Sequence, residues 1–173
     1  MKVGVLFPSR FEEPGEFLAD ARAMEATGAD SVWLEADGDG LDPWLFLAAI
    51  AAVTGKLRLG LILPDSPSPS GGGSSSSFPS PSGGGSGRGL ETLQRLSRQR
   101  AMIGVAQGGT IVSGAERWHR VGVPADREAW AKTLEQAGPD ADGVLVPLDP
   151  RLLDILRHPE DVIDRSDLLL ASG

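Results

Sequence analysis

The alternation of apolar and polar positions between Asp30 and Leu63 reads as strand, loop, capped helix and second strand without a break. Val32, Trp33 and Leu34 form a short apolar strand. Asp42-Pro43 then supplies an N-cap followed by proline at the first helical position, where its missing N–H is no loss. Trp44 to Val53 is apolar nearly all round, which predicts a helix buried on most of its surface and ended by Gly55. Leu57, Leu59, Leu61 and Leu63 alternate along a second strand that Pro64 stops. The unit is βαβ, two parallel strands joined by a buried crossover helix. Upstream, Lys2 to Phe7 reads as a first strand and Glu16 to Ala26 as an amphipathic helix, with Phe17, Ala21 and Met24 on one face and Gly28 at its end.

Ser66 to Gly87 breaks this rhythm, being almost entirely Ser, Pro and Gly around Phe78, a composition that predicts a flexible linker. Beyond it the pattern predicts a short helix over Leu90 to Arg98, a strand over Ala101 to Ala106 and a turn at Gly108-Gly109. Ala115 to Val121 reads as a short helix closed by Gly122, and Asp126 caps a longer one through Trp130, Leu134 and Ala137. Gly143 to Val146 is a further strand. Asp149-Pro150 repeats the cap-plus-proline device before Leu152, Leu153, Ile155 and Leu156, and Asp167 to Ala171 reads as the last strand. The count of about six βα units falls short of the eight of a closed TIM barrel. The expected fold is therefore α/β, a partial TIM-barrel-like domain over residues 1–173 interrupted by the linker at 66–87.

Composition narrows the function. A formal charge of −8 and a pI near 4.7 argue against nucleic acid and anionic membrane surfaces. No cysteine rules out a disulfide framework and a thiolate metal site, and His119 and His158 are too far apart in sequence for ligand spacing, so no metal site is expected, Mg²⁺ on carboxylates alone being the alternative. The Trp44 to Val53 run is too short to span a bilayer, and the first strand is too brief for a signal-peptide core, which makes a cytoplasmic location the expectation.

Several stretches carry a resemblance. GADSVWLEAD followed by DPWLFLAAIAAVTGKLRLG is similar to the second strand, second helix and third strand of the bacterial luciferase-like monooxygenase family. ETLQRLSRQRAMIGVAQGG resembles that family's next helix and strand, with a Leu-Ser-x-x-Arg turn between them and a glycine pair after. VGVPADREAWAKTLEQA resembles the Gly-Val-Pro segment and the helix downstream, and DGVLVPLDPRLLDILRHP adds weaker support. The resemblance implies a TIM-barrel oxidoreductase using a reduced flavin (FMN) or the deazaflavin coenzyme F420 on a small organic substrate, with the cofactor across the carboxyl ends of the strands.

Those ends hold Pro8 and Ser9, Glu35 to Asp37, Pro64, Gln107 to Gly109, and Pro147 to Asp149. Ser9, Gln107, Gly108 and Gly109 become candidate cofactor contacts, the glycines because their backbone N–H groups can approach a phosphate closely; a plain tight turn is the competing reading. Arg127 resembles a phosphate-contacting arginine of some relatives, against a surface arginine at a helix start. Asp37, with Glu35 and Asp39 nearby, is a candidate proton-handling carboxylate, against a solvated acidic loop. His119, beside Trp118, is a candidate at a flavin edge, against ordinary packing. Relatives often carry histidine after the acidic residue ending the second strand, where this chain has Ala36-Asp37, and Asp149 stands where phosphate-holding hydroxyls are usual. These departures keep open a degenerate, non-catalytic flavin-binding or interaction protein, or a minimised scaffold joined by the linker. Open strand edges of a partial barrel predict a homodimer.

Overall fold

A computed structural model describes residues 1–11, 13–36, 42–65, 85–138 and 140–156. The elements run β1 (Lys2–Leu6), α1 (Pro14–Ala26), β2 (Ser31–Glu35), α2 (Pro43–Val53), β3 (Arg58–Leu63), α3 (Gly85–Leu96), β4 (Ala101–Gln107), β5 (Thr110–Ser113), β6 (Glu116–Arg120), α4 (Arg127–Gln136), β7 (Gly143–Pro147) and α5 (Pro150–Leu156). The seven described strands pair in chain order, and β7 returns to β1 through Val3↔Val144 and Val5↔Val146, so the sheet closes into a barrel. All pairings are parallel except those of β5, which is antiparallel to both β4 and β6.

Closure corrects the expectation of a partial barrel. The missing strands come from a hairpin, β5 and β6, which needs no crossover helix and so fits in eleven residues from Thr110 to Arg120. The segment Ala115 to Val121, predicted helical, is strand β6. Its Glu116, Trp118 and Arg120 alternate with Arg117 and His119, a period of two that the flanking Gly114 and Gly122 had disguised as a capped helix. Thr110-Ile111-Val112, β-branched throughout and assigned to no element from sequence, forms most of β5. Because the described strands leave no unpaired edge, the open-edge argument for a homodimer lapses. Helix α3 starts at Gly85, inside the segment expected to be linker, while residues 66–84 and the expected strand Asp167 to Ala171 lie outside the described residues.

The apolar interior forms two layers. Between barrel and helices lie Val5, Phe17, Ala21, Met24, Leu47, Ile50, Leu59, Trp130 and Val146. Helix α2 starts as predicted, with Asp42 Oδ1 accepting from Trp44 N at 2.9 Å, but it buries one face, Leu47, Ile50 and Ala51, rather than most of its surface, and leaves Leu45 70% exposed; Phe7, Phe11, Phe17 and Phe46 pack ring on ring between α1 and α2. Inside the barrel Trp33, Ile62, Ile111, Trp118 and Leu145 pack together. The two indoles meet edge-on at 5.4 Å between ring centroids. Glycines on the neighbouring strands make the room: a Cβ on Gly60 or Gly104 would overlap Trp33 or Ile111, and one on Gly143 would lie 2.6 Å from the Trp118 ring. The lumen is a packed core rather than a channel.

Candidate functional site at the strand carboxyl ends

Alternation fixes what reaches the mouth. Trp33 and Trp118 point into the lumen, so Glu35 and Arg120, two residues further along the same strands, point inward at the carboxyl end. Their side chains form an ion pair between β2 and β6, strands that are not neighbours, which lays a carboxylate and a guanidinium across the opening. The Arg120 N–H donates to Gly109 O at 3.1 Å and so ties the β4–β5 turn to the same rim. At the opposite end of the lumen Glu116 accepts from Lys2 and from Arg58 at 3.0 Å, and Trp118 Nε1 lies 3.3 Å from its other oxygen. Burial pushes the Glu116 carboxyl up, but the bonds from Lys2 and Arg58 outweigh it and hold the group below its ordinary value. Along the axis, then, a charged pair, a layer of indoles and a charged trio follow one another.

The residues proposed from sequence are only partly gathered here. Gln107, Gly108 and Gly109 form the exposed β4–β5 turn at the rim, with Gly108 at φ +62°. Ser9 is half-buried just beyond β1. Asp37 lies outside the described residues. His119 faces away from the mouth: between two inward residues of β6 it points outward, where it lines a cleft of about 380 Å³ with Gln107, Thr110, Val112, Arg117 and Asp140. Arg127 stands at the start of α4 and donates to Asp154 O at 2.9 and 3.2 Å. The structure therefore brings together Gln107 and His119, on the outer wall, and separates both from Arg127. Sequence reading missed Arg120, and the Glu116, Trp118, Arg120 alternation was the signal that would have found it.

The helix starts of α2, α4 and α5 are filled by their own aspartates. Asp42 Oδ1 accepts from Trp44 N at 2.9 Å, Asp126 Oδ1 from Ala129 N at 2.7 Å, and Asp149 Oδ1 from Arg151 N at 2.9 Å. A phosphate at any of them would meet a carboxylate already using the N–H groups. The Arg151 side chain bonds Asp149 and holds its carboxyl below the ordinary range, so that residue is a cap rather than a proton carrier.

The Leu-Ser-x-x-Arg turn has a structural role. Arg98 and Gln99 take positive φ, +55° and +66°, and this turns Arg100 back beneath the end of α2. Its guanidinium donates to Ala51 O, Thr54 O, Leu57 O, Thr54 Oγ1 and Ser97 O at 2.6 to 3.1 Å. Beside it Glu25 accepts from the N–H groups of Gly55, Lys56 and Leu57. Burial alone would raise the Glu25 carboxyl, but those three bonds and Arg100 hold it below its ordinary value. The motif locks α2 onto β3 on the barrel wall.

Residues 1–62, from β1 to the end of β3, match the luciferase-like monooxygenase family. The matched segment supplies Glu35 to the mouth. No curated protein matches the chain. Among the described residues no helix is long and apolar enough to cross a membrane, and no cluster of three or more His, Asp or Glu is placed to hold a metal ion.

Proposed function

We propose that the chain is a luciferase-like oxidoreductase that takes a reduced flavin or coenzyme F420 across the barrel mouth, acts on a small organic substrate, and works in the cytoplasm. The observation that carries this reading is the Glu35–Arg120 pair, one partner from the family-matched segment and one from β6, laid over a floor of indoles. A planar ring fits on that floor and not beneath it, because Trp33 and Trp118 fill the lumen. The exposed Gly108-Gly109 turn offers room at the rim for a phosphate, since no atom lies within 4 Å of a Cβ built on either glycine. When bound, such a cofactor supplies the redox chemistry. Arg120 then orients an electron-rich edge of the ring or substrate, Glu35 holds or accepts a proton there, and the packed lumen excludes water from below.

Titration with FMN and with F420, followed by absorbance and fluorescence, tests the reading. Saturable binding is expected, weakened by about 1.5 to 3 kcal/mol in Arg120→Ala, the worth of a hydrogen bond to a charged group, and abolished in Gly109→Asp. No spectral change with either cofactor at high micromolar concentration would overturn it. The outward orientation of His119 favours a second reading, a barrel that binds cofactor without turnover. Binding without oxidation of the reduced cofactor in the presence of oxygen or candidate substrates would select that one.

A further inference from the structure

The outer face of the hairpin gathers a second set of polar groups, turned away from the mouth. The chain passes from β4 to β5 and from β5 to β6 through tight turns, so neither connection lays a helix over this stretch of wall. Strand register then decides what stands there. Gln107 lies opposite Thr110 and Thr110 opposite His119, one outward row across three strands, and Val112 lies opposite Arg117 in the next row. Arg117 and His119 are two residues apart on one face of β6, which sets their backbones roughly 6.6 Å apart. These five residues and Asp140 line the cleft of about 380 Å³.

The far wall of the cleft comes from the connection between α4 and β7. A reciprocal clamp fixes it to β6: Arg117 N donates to Asp142 Oδ2 at 2.8 Å, and Asp142 N donates to Arg117 O at 2.9 Å. Asp140, two residues earlier, is thereby held beside the strand. The charges in the cleft are not spent on one another. Among the described residues no hydrogen bond or ion pair engages the Arg117 guanidinium, the His119 ring or the Asp140 carboxylate.

We propose that this cleft binds a small dipolar molecule, with a carboxylate or phosphate at one end and an ammonium or hydroxyl donor at the other. The Arg117 guanidinium presents a planar fork to the oxyanion, with His119 beside it, and the Gln107 amide and Thr110 hydroxyl supply further donors. Val112 is the apolar surface for the carbon atoms between the two ends. Asp140 decides for a dipolar ligand over a plain anion, since its carboxylate repels negative charge and accepts from the donor end. His119 directly precedes Arg120, whose side chain reaches the mouth, so the two sites occupy opposite faces of β6 and this one needs no cofactor.

Titration of the whole chain, followed residue by residue in proton–nitrogen NMR spectra, tests the assignment. γ-Aminobutyrate and phosphoethanolamine carry both ends; butyrate and ethyl phosphate carry the anion alone. At least one two-ended probe should saturate, shifting the signals of Gln107, Thr110 and His119 and leaving that of Glu35 in place. It should bind about tenfold more tightly than its one-ended analogue, the effect of one hydrogen bond to a charged group. The probe that saturates first tells carboxylate from phosphate. Arg117→Gln should abolish binding, and Asp140→Asn should erase the tenfold advantage; both side chains are exposed, and the rest of the spectrum reports that the fold is kept. Binding indifferent to Arg117→Gln would overturn the proposal. The unmodified chain decides by itself should a variant misfold: no saturation with any probe, equal affinity for two-ended and one-ended probes, or shifts centred on the mouth would each refute it.

Discussion

The first four strands and the β4–β5–β6 hairpin build the same barrel by opposite means. Between β1 and β4 each strand is joined to the next through a helix, both faces of the sheet are apolar, and the charged residues Glu25 and Arg100 serve the joints between helix and strand. In the hairpin, strands follow one another through turns with no helix between, and the outer face carries Thr110, Arg117 and His119 toward solvent. The lesson is that a barrel position can be filled without a βα unit, provided the inward residues still interlock. Ile111 and Trp118 do so against Gly104, Trp33 and Gly143.

The sharpest way to break this comparison is Trp118→Ala. If the hairpin is integral, removing the buried indole should cost about 3 to 5 kcal/mol in denaturant unfolding, as much as Trp33→Ala on the other side. A loss below about 1 kcal/mol at Trp118 alone would show a hairpin merely leaning on a barrel made elsewhere. Next comes Arg100→Ala, expected to cost about 2 to 3 kcal/mol because several carbonyls at the end of α2 lose a charged donor, with Arg100→Lys restoring little since one ammonium cannot reach them all.

Asp42→Ala should cost about 1 kcal/mol through the lost cap of α2, measured the same way. Acid should also destabilise the fold. The Glu25 carboxyl is held below its ordinary 4.5 in the folded chain, so its contribution is present above that pH and is lost as pH falls through the lowered value. Glu25→Gln should flatten the stability profile below pH 4.5, and an unchanged slope would contradict the assignment. The smallest effect is expected at His119→Ala, within about 0.5 kcal/mol, with cofactor affinity unchanged. A large loss of affinity there would move the candidate site from the mouth to the outer wall.

The same division explains what could be read from sequence. Asp42-Pro43, the apolar α2 and the alternating leucines of β3 are local signals that agree with their tertiary surroundings, and they were legible to within a few residues. In the hairpin, strands of four and five residues present too few positions for a period to declare itself, and glycines at both flanks imitate helix punctuation. The candidate site suffered from the same ambiguity. Once β6 is taken as a helix, His119 and Arg120 exchange places, and the residue turned toward solvent is chosen over the one that reaches the mouth. Closure of the ring was also hidden, because the contact of β7 with β1 joins segments about as far apart in sequence as the described chain allows.

The meeting of Trp33 with Trp118 gives the protein an optical gauge of its own topology. The rings come from β2 and β6, strands brought face to face only when the last of the circle is in place. Two indoles at this separation couple their excited states, producing a paired signal in near-ultraviolet circular dichroism that neither gives alone. An assembled but unclosed sheet would leave that couplet dark, so its appearance during refolding would time the burial of the two indoles against each other.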